Sequence, residues 1–137
     1  MALKVTLDTR FYFSYYNPED EKTFKWVKSI INMVTKGKIK AYSSVLTITE
    51  FYKTMGRIVG ADAVKLRINS IKASKITFVP VSEEIAEVAG MILHKNPHIP
   101  IGDATIAATA IKNSSGIIYT DDPHFSKIEG IKAKWTT

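Results

Sequence analysis

Residues 101–123, Ile101-Gly102-Asp103-Ala104-Thr105-Ile106-Ala107-Ala108-Thr109-Ala110-Ile111-Lys112-Asn113-Ser114-Ser115-Gly116-Ile117-Ile118-Tyr119-Thr120-Asp121-Asp122-Pro123, change hydrophobic period partway along. Asp103 marks a helix start, and Ile106, Ala107, Ala110 and Ile111 follow at helical spacing as its inward stripe. Residues 117–120 (IIYT) are a short apolar run, which reads as a buried strand. A helix feeding directly into a buried strand is the building unit of a parallel α/β sheet.

The same alternation extends in both directions. Residues 3–7 (LKVTL) read as a first strand. Asn17-Pro18-Glu19-Asp20 resembles a helix start, with Asn as cap, Pro in the first turn and acids near the positive helix end. Phe24, Val27, Ile31 and Val34 continue that helix, and Lys36-Gly37 stops it. Residues 40–46 (KAYSSVL) form a second strand. Residues 48–59 form a helix with Ile48, Phe51, Tyr52, Met55, Ile58 and Val59 on one stripe, closed by Gly60. Asp62 caps a basic helix through about Ser74, with Val64, Ile68 and Ile71 inward. Residues 76–81 (ITFVPV) make a strand that Pro80 ends or confines to an edge. Ser82 caps a helix carrying Ile85, Val88, Ala89, Ile92 and Leu93, broken by Asn96-Pro97 and Pro100, and a last short strand lies near 131–135. The expectation is an α/β fold whose mainly parallel central sheet is flanked by helices. It forms one domain over 1–137, a length usual for a single domain.

Composition narrows the function. There is no cysteine, so disulfides and thiolate metal sites are excluded. Nineteen Lys and Arg against thirteen Asp and Glu leave a net charge of +6, which favours polyanionic partners such as RNA, DNA or an acidic protein. No stretch approaches the ~20 apolar residues of a membrane span, and the N-terminus lacks an apolar signal segment. A cytoplasmic protein without membrane contact is expected. His94 and His98 have the spacing of a zinc pair, but Pro97 interrupts the helix between them. His124 reads as a turn residue. A Gly-rich phosphate loop and a nucleophile elbow are both missing.

The acids carry the sharper signal. Asp8 follows the first strand, and Glu50 lies early in the helix after the second. Asp103 heads the helix before the 117–120 strand, and Asp122 follows that strand. In a parallel α/β sheet these places share the C-terminal edge, where ligands bind. Carboxylates gathered there raise one another's pKa unless a cation compensates. Hard Mg2+ or Mn2+ suits an all-oxygen set, and such ions activate water and stabilise phosphoryl charge. Each acid also has a purely structural reading. Asp8 caps a turn, Asp103 caps a helix, and Glu50 pairs with Lys53, Thr54 or Arg57 on a solvated face. Asp121-Asp122-Pro123 is a turn before proline. Spacing alone does not choose between Asp121 and Asp122.

These residues resemble the PIN domain, and most closely the small VapC-like toxins of toxin–antitoxin pairs. The likeness covers almost the whole chain. It rests on Leu7-Asp8-Thr9, on Ser43-Ser44-Val45-Leu46-Thr47-Ile48-Thr49-Glu50-Phe51, on Ile101-Gly102-Asp103-Ala104-Thr105-Ile106-Ala107-Ala108-Thr109-Ala110, and on Ile118-Tyr119-Thr120-Asp121-Asp122-Pro123-His124-Phe125. It implies a three-layer α/β/α fold and a catalytic quartet of Asp8, Glu50, Asp103 and Asp122. Asp8, Asp103 and Asp122 would hold Mg2+ or Mn2+ for endoribonuclease chemistry. The resemblance selects Asp122 over Asp121 as the motif acid, and makes Thr120, Asp121 and Thr9 supporting residues. It further implies a homodimer and a cognate antitoxin that inserts a segment beside the acids. The family often has Ser or Asn just after Asp8-Thr9, whereas this chain has Arg10, a phosphate contact or a surface residue. Lys53 and Arg57 are further candidate RNA contacts. The alternatives are an RNA-processing PIN nuclease without an antitoxin and a non-catalytic scaffold binding RNA or protein. A small-phosphate phosphohydrolase with an aspartate nucleophile would want a second Asp at position 10. The aromatic run Tyr12, Phe13, Tyr15 and Tyr16 suits packing or partner binding better than base stacking.

Overall fold

A computed structural model describes residues 2–136; Met1 and Thr137, the ends of the expected 1–137 domain, lie outside them. Strands β1 (Leu3–Leu7), β2 (Ile39–Ser44), β3 (Thr77–Val79), β4 (Ile117–Tyr119) and β5 (Lys132–Lys134) form one sheet in the order β3-β2-β1-β4-β5. Every neighbouring pair is parallel. Helices α1 (Thr9–Tyr16), α2 (Glu21–Thr35), α3 (Leu46–Val59), α4 (Ala61–Lys72), α5 (Glu83–Lys95) and α6 (Ile101–Ser114) connect and cover it.

Two apolar clusters lie on the two faces of the sheet, because β1 alternates. Val5 and Leu7 join Phe11, Val27, Phe51, Met55 and Val64 from α1 to α4 in one cluster. Thr6, between them, points the other way, and its hydroxyl lies 2.8 Å from that of Ser114 in α6. On that second face Ile118 of β4 packs with Ile85 and Ile92 of α5 and Ile106 and Ala107 of α6. Phe11, Phe51, Met55 and Ile106 are fully buried, each worth about 1.5–3 kcal/mol relative to exposure. The result is the expected α/β/α sandwich.

The chain runs outward from β1 in both directions: to β2 and β3 on one side, to β4 and β5 on the other. The gap between the C-terminal ends of β1 and β4 is therefore a topological switch point, where an open α/β sheet offers a crevice. Asp8 leaves β1 beside that gap, and Thr120 to Asp122 leave β4 on its other side.

Several local expectations change. The stretch TRFYFSYY folds as α1, with Phe11 and Tyr12 in the core, so these rings serve packing. The next helix is capped by Asp20 rather than Asn17; the Asp20 carboxylate accepts the Thr23 N–H at 2.7 Å. Gly60, not Asp62, precedes α4, and α6 begins at Ile101 after Pro100, so Asp103 sits in its first turn rather than capping it. β3 is only three residues long and lies at the sheet edge, as Pro80 requires. Among the described residues no helix is long and apolar enough to cross a membrane.

One backbone contact fixes how α6 enters β4. Gly116 has φ +82, and a Cβ there would stand 1.9 Å from the Gly130 carbonyl oxygen. Lys132 N–H in turn donates to the Gly116 carbonyl at 2.8 Å. Gly116→Ala is expected to cost about 2–4 kcal/mol, from the strained φ and the forced separation of two backbones. A denaturant titration checks this; an unchanged midpoint would show that the two segments part freely.

Candidate active site

Asp8, Glu50 and Asp103 each meet a partner distant in sequence, whereas Asp122 is held within its own turn. Asp8 is the residue after β1 and is 3% exposed. Its Oδ2 accepts the Thr120 hydroxyl at 2.7 Å, and the same hydroxyl oxygen accepts the Asp122 N–H at 3.1 Å. Thr120 therefore ties the end of β1 to the turn after β4. Behind Asp8, the buried Ser43 hydroxyl donates to the Leu7 carbonyl at 2.8 Å and lies 2.5 Å from the Tyr12 hydroxyl, so Tyr12 is the donor of that pair. Ser43 and Tyr12 thus brace the backbone just before Asp8. The residue types alone gave no sign of that role.

Glu50, in the second turn of α3, crosses to α1: its Oε1 accepts the Thr9 hydroxyl at 2.5 Å. It is half-buried rather than solvated on the Lys53–Arg57 face, because α1 packs over it. Gly102 makes room for it. A Cβ at Gly102 would lie 3.0 Å from Glu50 Oε2. Glu50 accordingly sits against the first turn of α6. Gly102→Ala is expected to shift Glu50. Catalytic rate should fall severalfold, while the helix gains up to about 1 kcal/mol of intrinsic propensity. Parallel assays of melting and activity check this; equal loss of both would mean a general packing defect.

Asp103 reaches the same region from the first turn of α6, and Asp122 from the turn after β4. The His124 Nδ1 lies 3.1 Å from Asp103 Oδ2 and 3.1 Å from Asp122 Oδ1. An oxygen of each acid and this nitrogen all lie within 4.8 Å of one another. Asp122 Oδ1 also accepts the His124 N–H at 2.9 Å, which fixes the turn. The Nδ1 atom is buried and, although close to both carboxylates, is aligned with neither as a hydrogen bond. His124 is thus the site neighbour that its reading as a turn residue missed. The available signal was its place two residues after Asp122, inside one tight turn.

The electrostatics match the crowding. Burial pushes the Asp8 carboxyl up to about 7; the Thr120 hydroxyl and Thr9 N–H work against this, and the charges of Glu50 and Asp103 add to it. Burial also pushes Asp103 up to about 6, reinforced by Asp122 and Glu50 and opposed by His124. Negative charge here lacks sufficient compensation. A hard oxygen donor set, two carboxyls held in the neutral range and an unsatisfied buried nitrogen are together what a divalent cation would satisfy.

Asp121 turns away from this group. Arg10 Nε donates to its Oδ1 at 2.7 Å and Nη2 to its Oδ2 at 3.0 Å, a two-point exposed pair that leaves Asp122 as the inward acid. Arg10 is therefore bound to Asp121 rather than free. Lys53 and Arg57 are exposed on α3 and, with Thr9, Arg10, Phe13 and Thr54, line a groove of about 320 Å³ beginning at the Thr9–Glu50 contact. A larger cavity of about 570 Å³ between α5, α6 and the Ile128–Gly130 segment shares no residue with the acids.

A family model described as PIN domain matches residues 5–131. No curated protein sequence matches the chain. Among solved structures, VapBC from Salmonella typhimurium in a DNA-bound crystal structure is 21% identical, with TM-score 0.73 over 96% of this chain and 97% of that one. VapBC2 from Rickettsia felis, bound to a DNA fragment from its promoter, is 15% identical with TM-score 0.73, covering 97% and 99%. VapC20 from Mycobacterium tuberculosis, a sarcin-ricin loop cleaving toxin, is 20% identical with TM-score 0.67, covering 90% and 93%.

Proposed function

Since the chain belongs to the PIN domain family, we propose that the crevice between β1 and β4 is the active site of a Mg2+- or Mn2+-dependent endoribonuclease, the toxin of a VapBC-type pair. The observation that carries this reading is the convergence of Asp8, Glu50, Asp103 and Asp122, drawn from four elements, at one edge of the sheet, where burial and the neighbouring carboxylates raise the pKa values of Asp8 and Asp103. Three of the similar structures are described as VapBC complexes or a VapC toxin, which supports a cognate antitoxin as partner.

In this reading Asp8, Asp103 and Asp122 hold the cation. When bound, it would polarise the scissile phosphoryl group and lower the pKa of water. Asp8 would join that set as a carboxylate, oriented by the hydroxyl of Thr120. Glu50, oriented by Thr9, stands on the α3 side to accept a proton from attacking water. Lys53 and Arg57 bind flanking phosphates, which gives affinity without sequence choice. The Arg10–Asp121 pair fixes the turn that presents Asp122. A homodimer acting in the cytoplasm completes the proposal.

The test is cleavage of a structured RNA with Mn2+, with EDTA, and with folded Asp103→Asn. Cleavage should need the metal and drop at least about a hundredfold in the variant. Undiminished cleavage by the variant would reject the site. A single-stranded DNA of matched sequence distinguishes RNA from general phosphodiester specificity. Co-expression with the product of an adjacent short gene, followed by co-purification, tests the antitoxin.

A further inference from the structure

His124 offers a nitrogen where the carboxylates offer only oxygen. Its Nδ1 is equidistant, at 3.1 Å, from Asp103 Oδ2 and Asp122 Oδ1. Two ligand atoms at right angles on an ion with bonds of about 2.1 Å stand about 3.0 Å apart. The spacing therefore matches adjacent corners of a six-coordinate site. The Nδ1 is buried and, among the described residues, has no aligned hydrogen-bond partner. The side chain as a whole is partly exposed, with 41% of it accessible. The turn is also preset. Pro123 restricts the backbone, and the His124 N–H bond to Asp122 Oδ1 holds the ring beside the acid.

We propose that His124 is a nitrogen ligand of the metal held by Asp103 and Asp122, and that it biases this site toward Mn2+ over Mg2+. The inference rests on the reading above that a divalent cation occupies the crevice. Mg2+ strongly prefers oxygen ligands, whereas affinity for nitrogen rises along the first transition row from Mn2+ onward. A single imidazole among carboxylates thus adds more to Mn2+ binding than to Mg2+ binding. The contrary possibility is that an imidazolium N–H merely occupies the cation's place between two carboxylates. In that case the ring competes with metal instead of binding it.

The experiment uses the full-length protein with Mn2+ alone and reads the metal directly by pulsed electron paramagnetic resonance. Bound Mn2+ should show 14N modulation from a histidine ring, replaced by the 15N pattern when the protein carries 15N-histidine. In His124→Ala the modulation should vanish. The Mn2+ dissociation constant should rise roughly ten- to a hundredfold, while Mg2+ affinity, measured by competition, moves much less. The 15N labelling works on the unmutated chain, so it stands even if the variant folds poorly. Mn2+ bound without nitrogen modulation, modulation retained in His124→Ala, or Mn2+ held more tightly by that variant would each overturn the assignment while leaving the carboxylate site intact. Failure of the unmutated protein to take up Mn2+ at all would overturn both this inference and the metal-dependent reading.

Discussion

Asp8→Asn is expected to reduce metal-dependent RNA cleavage by at least about a hundredfold while making the metal-free protein more stable at pH 7.5. The two effects share one cause. Asp8 is almost completely buried, and its carboxyl is pushed up to about 7, chiefly by burial. At neutral pH the metal-free protein carries either a proton that water would remove or a charge that the interior opposes. Asparagine removes that conflict and keeps a carbonyl oxygen to accept the Thr120 hydroxyl. A gain of about 1–3 kcal/mol follows, less than the full electrostatic relief because the new amide N–H groups need partners of their own. The cation loses a charged ligand, so function falls as stability rises. Chemical denaturation in EDTA, run beside the cleavage assay, checks both halves. A variant that is both less stable and less active would point to a structural role for Asp8 instead.

The second large effect is a stability curve that metal inverts. A carboxyl whose folded pKa lies above its unfolded value holds its proton to higher pH in the folded state. The stability it confers is present at low pH and lost as pH rises through the window between the two values. For Asp8 that window runs from 3.8 to about 7, and for Asp103 from 3.8 to about 6. The metal-free protein should therefore weaken between about pH 4 and 7. Asp8 alone accounts for up to about 4 kcal/mol, or a fall in Tm on the order of 10 °C. Mn2+ binds the deprotonated acids, so millimolar Mn2+ should raise Tm at pH 7.5 and have little effect near pH 5. Melting curves at the two pH values, with EDTA and with Mn2+, measure this. A metal-free Tm that rises from pH 5 to 7.5, or equal Mn2+ effects at both, would contradict the placement of these acids.

Much of the sheet was legible because its strands and long helices carry clean periods. LKVTL is β1 residue for residue, and the Ser82 cap lies where the sequence put it, accepting the Ile85 N–H at 3.2 Å. Helix α1 was not legible. TRFYFSYY is dense in aromatics of middling helix propensity and has no polar face to reveal a period; burial of Phe11 and Tyr12 against the sheet decides its conformation. The cap of α2 fell on Asp20 rather than Asn17 because α1 runs as far as Tyr16, which displaces the next start.

At the site, topology brought the strand-end acids within reach of inference, since connectivity alone assigns Asp8 and Asp122 to one edge. Glu50 was harder. Its own helix face predicts a solvated residue, and only the packing of α1 over α3 turns it toward Thr9. The division of labour at 121–122 came from resemblance and has a visible physical basis, with Arg10 drawing Asp121 outward. His124 lay outside any periodic argument. A side chain in a tight turn takes its direction from tertiary contacts with α6, which no local pattern encodes.

The most direct measurement is anomalous diffraction from crystals of the protein soaked in Mn2+ near pH 7.5. The expected result is a strong manganese peak at the switch point between β1 and β4, within bonding distance of carboxylate oxygens from Asp103 and Asp122 and close to Asp8. A fully occupied peak elsewhere, with the crevice containing only water and its acids hydrogen-bonded to one another, would contradict it.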